Sequence, residues 1–101
     1  MKLLDLIISE YIAIMKELSG TEDAVNNRII IDKELFNKIL AAYPYTTTTQ
    51  KIKIYKTLGF IIHDKTTYTL SCRIENRKVR KVVFDYNVYL TIRNLHETEI
   101  L

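Results

Sequence analysis

Apolar side chains recur at helical spacing from the start of the chain: Leu4, Ile7, Ile8, Tyr11, Ile14, Met15 and Leu18, with Asp5, Ser9, Glu10, Lys16 and Glu17 on the other side. Intervals of three and four predict an amphipathic helix over residues 2–19, stopped by Gly20. Leu3, Leu6 and Ile12 widen its apolar arc, as expected of a helix covered on two sides, by its own domain and by a partner subunit. A polar connector, 21–27, leads to the β-branched run Arg28 to Ile31, which reads as a short strand. Asp32 is placed to N-cap a helix from Lys33 to Ala42, with Leu35, Phe36, Ile39 and Leu40 inward. Pro44 disfavours helical geometry at Tyr43 and ends that segment.

Four threonines follow, Thr46 to Thr49, and Thr47 stands three residues before Gln50, the spacing of a capping box. A third helix from about residue 48 puts Thr48, Ile52, Tyr55 and Leu58 in one inward arc, with Gly59 as its stop. Thr49, Gln50, Lys53, Lys56 and Thr57 lie opposite. Lys51 falls near the edge of the arc, where its long stem reaches solvent or a phosphate.

The period then changes from helical to alternating. Phe60 to Ile62 is a brief extended run. Tyr68, Leu70, Cys72 and Ile74 alternate with Thr67, Thr69, Ser71 and Arg73, predicting a half-buried strand with the first set on the core. Glu75-Asn76-Arg77 supplies the turn, Asn76 being suited to a left-handed backbone. Alternation resumes through Val82, Phe84, Tyr86, Val88, Leu90 and Ile92, too long a run for one ordinary strand. A break is expected near Asp85–Asn87, followed by another strand or a terminal helix. The period favours the strand; Asp85 as an N-cap is the argument for the helix. His96 to Leu101 read as a frayed end.

A chain of 101 residues, 48% hydrophobic and 27% charged, supports one globular domain spanning 1–101. Its net charge of +3 conceals strong polarisation. Residues 1–46 carry five Lys/Arg against seven Asp/Glu, residues 47–84 nine against two, and residues 85–101 one against three. A basic middle of that kind attracts polyanions, of which nucleic acid is the commonest inside a cell. One cysteine, Cys72, forms no internal disulfide and fits a reducing cytoplasm. Two histidines far apart, His63 and His96, and no cysteine pair leave no metal-ligand spacing, and no cofactor is expected. Charges interrupt the apolar start, which therefore reads as neither a signal peptide nor a membrane span. No Gly-rich phosphate loop or nucleophile elbow appears, and His63 beside Asp64 reads as a surface pair, so the chain is not expected to be an enzyme.

The predicted order is helix, short strand, helix, turn, helix, then a two-stranded hairpin. From Met1 to about Tyr86 this α+β order resembles the winged helix-turn-helix family: three helices and a small antiparallel sheet that forms a wing. Its most specific piece is Thr47 to Ile61, which looks like a recognition helix with apolar residues at three-residue intervals, followed by Leu58-Gly59-Phe60-Ile61. The length, the Lys/Ile/Tyr/Asn-rich composition and the basic wing also resemble the small relaxosome accessory proteins of clostridial conjugative plasmids. That resemblance implies a homodimer that binds specific double-stranded DNA sites at an origin of transfer, alongside other relaxosome proteins.

Two surfaces are candidates for DNA. The third helix offers Thr49, Gln50, Lys51, Lys53 and Lys56 to a major groove, where Gln pairs well with adenine. Gln50 has a competing role in the capping box. The wing offers Arg73, Asn76, Arg77, Lys78, Arg80 and Lys81, a denser cluster suited to a minor groove. Its competing role is protection of an exposed strand edge. The charge density favours the wing. Tyr43, Tyr45 and Tyr89 are candidate stacking platforms for single strands, or else close the core edge or a dimer seam. Three functions remain open on sequence: a duplex binder in DNA processing or transcription, a winged-helix protein-interaction module, and a single-strand binder.

Overall fold

A computed structural model describes residues 2–18, 20 and 26–100. Among these residues four helices and four strands follow in the order α1 (Leu3–Leu18), β1 (Arg28–Ile31), α2 (Lys33–Ala41), α3 (Thr48–Thr57), β2 (Ile61–Ile62), β3 (Leu70–Ile74), β4 (Arg77–Asp85) and α4 (Tyr86–Ile100). The architecture is α+β with a small antiparallel sheet. Most of the expected connector at 21–27 lies outside the described residues; Asn26 and Asn27 form a turn into β1.

β4 is the axis of the sheet. It pairs along one edge with β1, from Arg28 opposite Asp85 to Ile31 opposite Val82. It also pairs with β2, Ile61 opposite Phe84, and with β3, Leu70 opposite Lys81 through Ile74 opposite Arg77. Flanked on both edges, the inner half of β4 is a natural place for apolar residues, and Val82, Val83 and Phe84 are fully buried.

The core is an aromatic cluster fed by almost every element. Tyr11 of α1 stacks on Phe60 with ring centroids 3.8 Å apart and planes 6° from parallel. Tyr55 of α3 meets Tyr11, Phe36, Phe60 and Phe84 edge-on. Tyr89 of α4 packs its edge against Tyr11. Ile7, Met15, Ile29 and Leu40 fill the space between. Such ring pairs add about 0.5–1.5 kcal/mol each beyond the area they bury.

α4 corrects the expected helix number from three to four and settles 86–95 as helix. The Asp85 carboxylate accepts from the backbone N–H of Asn87 at 3.0 Å and of Val88 at 3.3 Å, an N-cap that overrides the two-residue period. His96 to Ile100 continue this helix rather than fraying, and Leu101 of the expected frayed end lies outside the described residues. Tyr89, a candidate stacking platform by sequence, is 1% exposed because helical geometry turns it inward. Leu35 and Leu58, expected inward, are 43% and 41% exposed. Asp32 precedes α2 as expected, yet makes no cap hydrogen bond; its carboxylate pairs with Lys81 of β4 instead.

Candidate nucleic-acid interface

α3 begins where the sequence placed it. The Thr47 hydroxyl accepts from the Gln50 backbone N–H at 3.1 Å, and the helix ends at Gly59, whose φ of +76° needs no Cβ. The reciprocal half of the capping box is replaced: Gln50 Oε1 accepts from the Thr46 hydroxyl at 3.3 Å. Thr49, Gln50 and Lys53 are exposed on the outer face and Lys56 is half-buried. Alongside them, Leu4 of α1, 48% exposed, and Leu58 flank a shallow cleft of about 670 Å³ lined also by Thr49, Gln50 and Lys53. Sequence reading missed this apolar edge because it assigned Leu4 and Leu58 to the core.

Lys51 is the main correction. Its side chain is fully buried, not at the rim of the helix. The ammonium donates to Glu10 Oε2 at 3.0 Å, to the Leu40 carbonyl at 2.6 Å and to the Tyr43 carbonyl at 2.8 Å, which uses all three of its protons. It also stands 4.2 Å from the centroid of the Tyr45 ring. The Leu40 carbonyl belongs to the last turn of α2, where a cation meets the negative end of the helix dipole. Lys51 thus ties α1, α2 and the turn before α3 into one unit and is not a phosphate contact. Burial, then the Glu10 carboxylate, pushes the Tyr45 hydroxyl up to about 12. Burial likewise raises the Tyr11 and Tyr55 hydroxyls above the ordinary phenol range.

The β3–β4 hairpin carries the second cluster. Its turn places Glu75 at φ 51° and Asn76 at φ 67°, the pair of left-handed residues that a tight two-residue hairpin requires. Cross-strand partners share a face. Leu70, Cys72, Ile74, Arg77, Val79 and Lys81 therefore lie on one side of the hairpin, and Ser71, Arg73, Lys78 and Arg80 on the other. The second side continues the face of β4 that carries Val82 and Phe84 into the core. Burial follows the expected alternation: Leu70, Cys72 and Val79 are half-buried, whereas Ser71, Arg73, Lys78 and Arg80 are exposed. The core cluster ends before this hairpin, and Ile74, expected inward, is 40% exposed. Tyr68, just before β3, does pack on the core: its ring centroid lies 5.9 Å from that of Phe36.

The five cations of the hairpin divide into two kinds. Arg80 is anchored: its guanidinium pairs with Asp64 and donates to Thr69 Oγ1 at 2.9 Å and to the Thr69 carbonyl at 3.0 Å. Lys81 is anchored to Asp32. Arg73, Arg77 and Lys78 are exposed and make no ion pair among the described residues, and Asn76 is exposed at the tip between them. The Arg80–Asp64 pair is about half exposed on both sides, so exchanging Asp64 for a phosphate costs about 1 kcal/mol or less.

Of the candidate stacking rings, Tyr43 is 66% exposed, Tyr45 is half-buried over Lys51, and Tyr89 is in the core. His63 Nδ1 lies 2.7 Å from the Asp64 carbonyl, while the Asp64 carboxylate serves Arg80. Among the described residues no cluster of His, Cys, Asp or Glu is placed to hold a metal ion, and no helix is long and apolar enough to cross a membrane. Scanned against protein-family models the chain matches none, and a search of curated proteins returns no match.

Proposed function

We propose that this chain binds double-stranded DNA as a winged helix-turn-helix protein, with the β3–β4 hairpin as the wing and main contact. The observation that carries this reading is the wing tip, where Arg73, Arg77 and Lys78 are exposed without an acidic partner among the described residues. The chain order α1-β1-α2-α3 followed by strands, with β4 between β1 and the β2–β3 edge, supports the winged-helix assignment. Wing cations supply affinity and register through phosphates, and a tip of Asn76 flanked by Arg77 suits a narrow minor groove. Thr49, Gln50 and Lys53 form the secondary surface on α3.

Salt dependence tests the reading. Neutralising three to five phosphates gives a slope of log K against log salt of about −3 to −4.5 on duplex DNA. A specific duplex is bound far more tightly than random duplex or single strand. Equal binding to single strands transfers the function to the single-strand class, and absence of a slope removes nucleic acid altogether. The cleft edged by Leu4 and Leu58 beside α3 favours a second reading, a winged-helix module for protein contacts, which predicts that absence.

The resemblance to relaxosome accessory proteins supports a cytoplasmic role at a plasmid origin of transfer, beside other relaxosome proteins. A transcriptional regulator of a mobile element needs the same surface. Selection of bound sequences from random DNA separates the two by where the enriched site lies. A homodimer is part of the proposal: exposed Leu95 on α4 and Leu4 on α1 are apolar surplus on the helices proposed for its interface. Light scattering of the purified chain gives its mass directly.

A further inference from the structure

A cleft of about 500 Å³ opens between α1 and the end of α2, away from the proposed DNA-contacting side chains. Leu6, Ile14 and Ile39 form its apolar walls, Glu10 and Tyr45 its floor, and Glu17 is exposed at its rim. That size, with apolar walls and few polar groups, is the usual form of a small-molecule site.

The floor is chemically incomplete. Glu10 is 8% exposed, and only its Oε2 is engaged, by Lys51. Glu10 Oε1 is buried without a well-formed hydrogen bond, and the Tyr45 hydroxyl, equally buried, stands beside the same carboxylate. A Tyr45 hydroxyl turned toward Oε1 would fill one lone pair of that oxygen and leave the other open. A buried carboxylate oxygen without a donor is costly, so a donor delivered by a ligand is favoured there. Charge specifies the donor. Glu10 is matched by Lys51, and Glu17, exposed at the rim, makes no ion pair among the described residues, so the mouth of the cleft is acidic.

We propose that this cleft binds a small amphipathic cation, an apolar body carrying one ammonium or guanidinium group. The body lies against Leu6, Ile14 and Ile39, and the head donates to Glu10 Oε1 near the Glu17 carboxylate. Binding here is independent of DNA, so its failure and the failure of the proposed function are distinguishable.

Phenylbutylamine is the probe, with phenylbutanol and phenylbutyrate as neutral and anionic analogues, followed by amide NMR at low salt. Saturable shifts with the amine, confined to α1 and the end of α2 around Ala13 and Ala42, are expected. The alcohol binds at least about threefold more weakly and the acid not measurably. Glu17→Gln, at an exposed position, weakens the amine about threefold and leaves the alcohol unchanged. Ala13→Leu narrows the mouth without touching Lys51 and abolishes binding. Equal binding of amine and alcohol, no saturation, or indifference to both variants overturns the proposal.

Discussion

Replacing Lys51 by methionine keeps the length of the stem and removes the charge, and the structure sets the consequence. Three hydrogen bonds of 2.6–3.0 Å disappear together, leaving the Glu10 carboxylate and the carbonyls of Leu40 and Tyr43 without their shared donor in a buried site. Breaking a buried pair from one side costs about 3–5 kcal/mol. A domain of this size has about 5–15 kcal/mol in total. Lys51→Met therefore lowers the urea midpoint by about 2 M or more, at a typical slope for small domains. Glu10→Gln is milder, about 1–3 kcal/mol, because the ammonium keeps two carbonyls and an amide oxygen. Lys51→Met combined with Glu10→Leu recovers much of the loss, since no buried charge is left behind. Urea unfolding of the parent and the three variants, followed by far-UV circular dichroism, ranks the four stabilities. A Lys51→Met stability within about 1 kcal/mol of the parent refutes the buried network and returns Lys51 to the helix rim as a phosphate contact.

The hydroxyls of Tyr11, Tyr45 and Tyr55 make stability fall at high pH. Each holds its proton above the ordinary phenol value in the folded chain, so folding is supported in full below about pH 10 and the support is lost as pH rises toward 12 and beyond. Ultraviolet titration shows these three ionising late or together with unfolding; ordinary titration of all seven tyrosines contradicts the packing. Asp85→Ala removes the N-cap of α4 and costs about 1 kcal/mol in urea unfolding, whereas a strand at 86–95 would be indifferent. Gly59→Ala meets open space yet forces a left-handed alanine, costing about 1 kcal/mol by the same assay.

The parts of this fold that were legible are those set by neighbours in sequence. Thr47 three residues before Gln50, Gly59 after Leu58, and Asn76 between two alternating runs placed α3 and the hairpin turn within a residue or two. Glu10 and Lys51 were hidden because each, judged on its own helix, looks like a solvated charge. They are 41 residues apart, and only the packing of α1 against the α2–α3 turn reveals that they share one buried site. The hairpin alternation was legible as far as Cys72, which with Leu70 is half-buried while Ser71 and Arg73 are exposed. It fails at Ile74, which stands next to the turn and past the end of the core. In 86–95 the two-residue period and the Asp85 cap disagreed, and two backbone hydrogen bonds to one carboxylate decided the outcome. The candidate cations were legible as a cluster, but their division into Arg80 and Lys81, anchored, and Arg73, Arg77 and Lys78, unpaired among the described residues, depends on Asp64 and Asp32, which only the fold brings near.

The proposal that the wing is the main DNA contact rests on those three unpaired cations. Its most direct test is the affinity of Arg77→Ala, Lys78→Ala, Lys53→Ala and Lys56→Ala for one duplex, each across a salt series. The wing variants lose more affinity than the α3 variants, and each wing variant reduces the salt slope by about 0.9, the value for one lost phosphate. Equal losses across the four, or larger losses at Lys53 and Lys56, contradict the assignment and move the interface to α3.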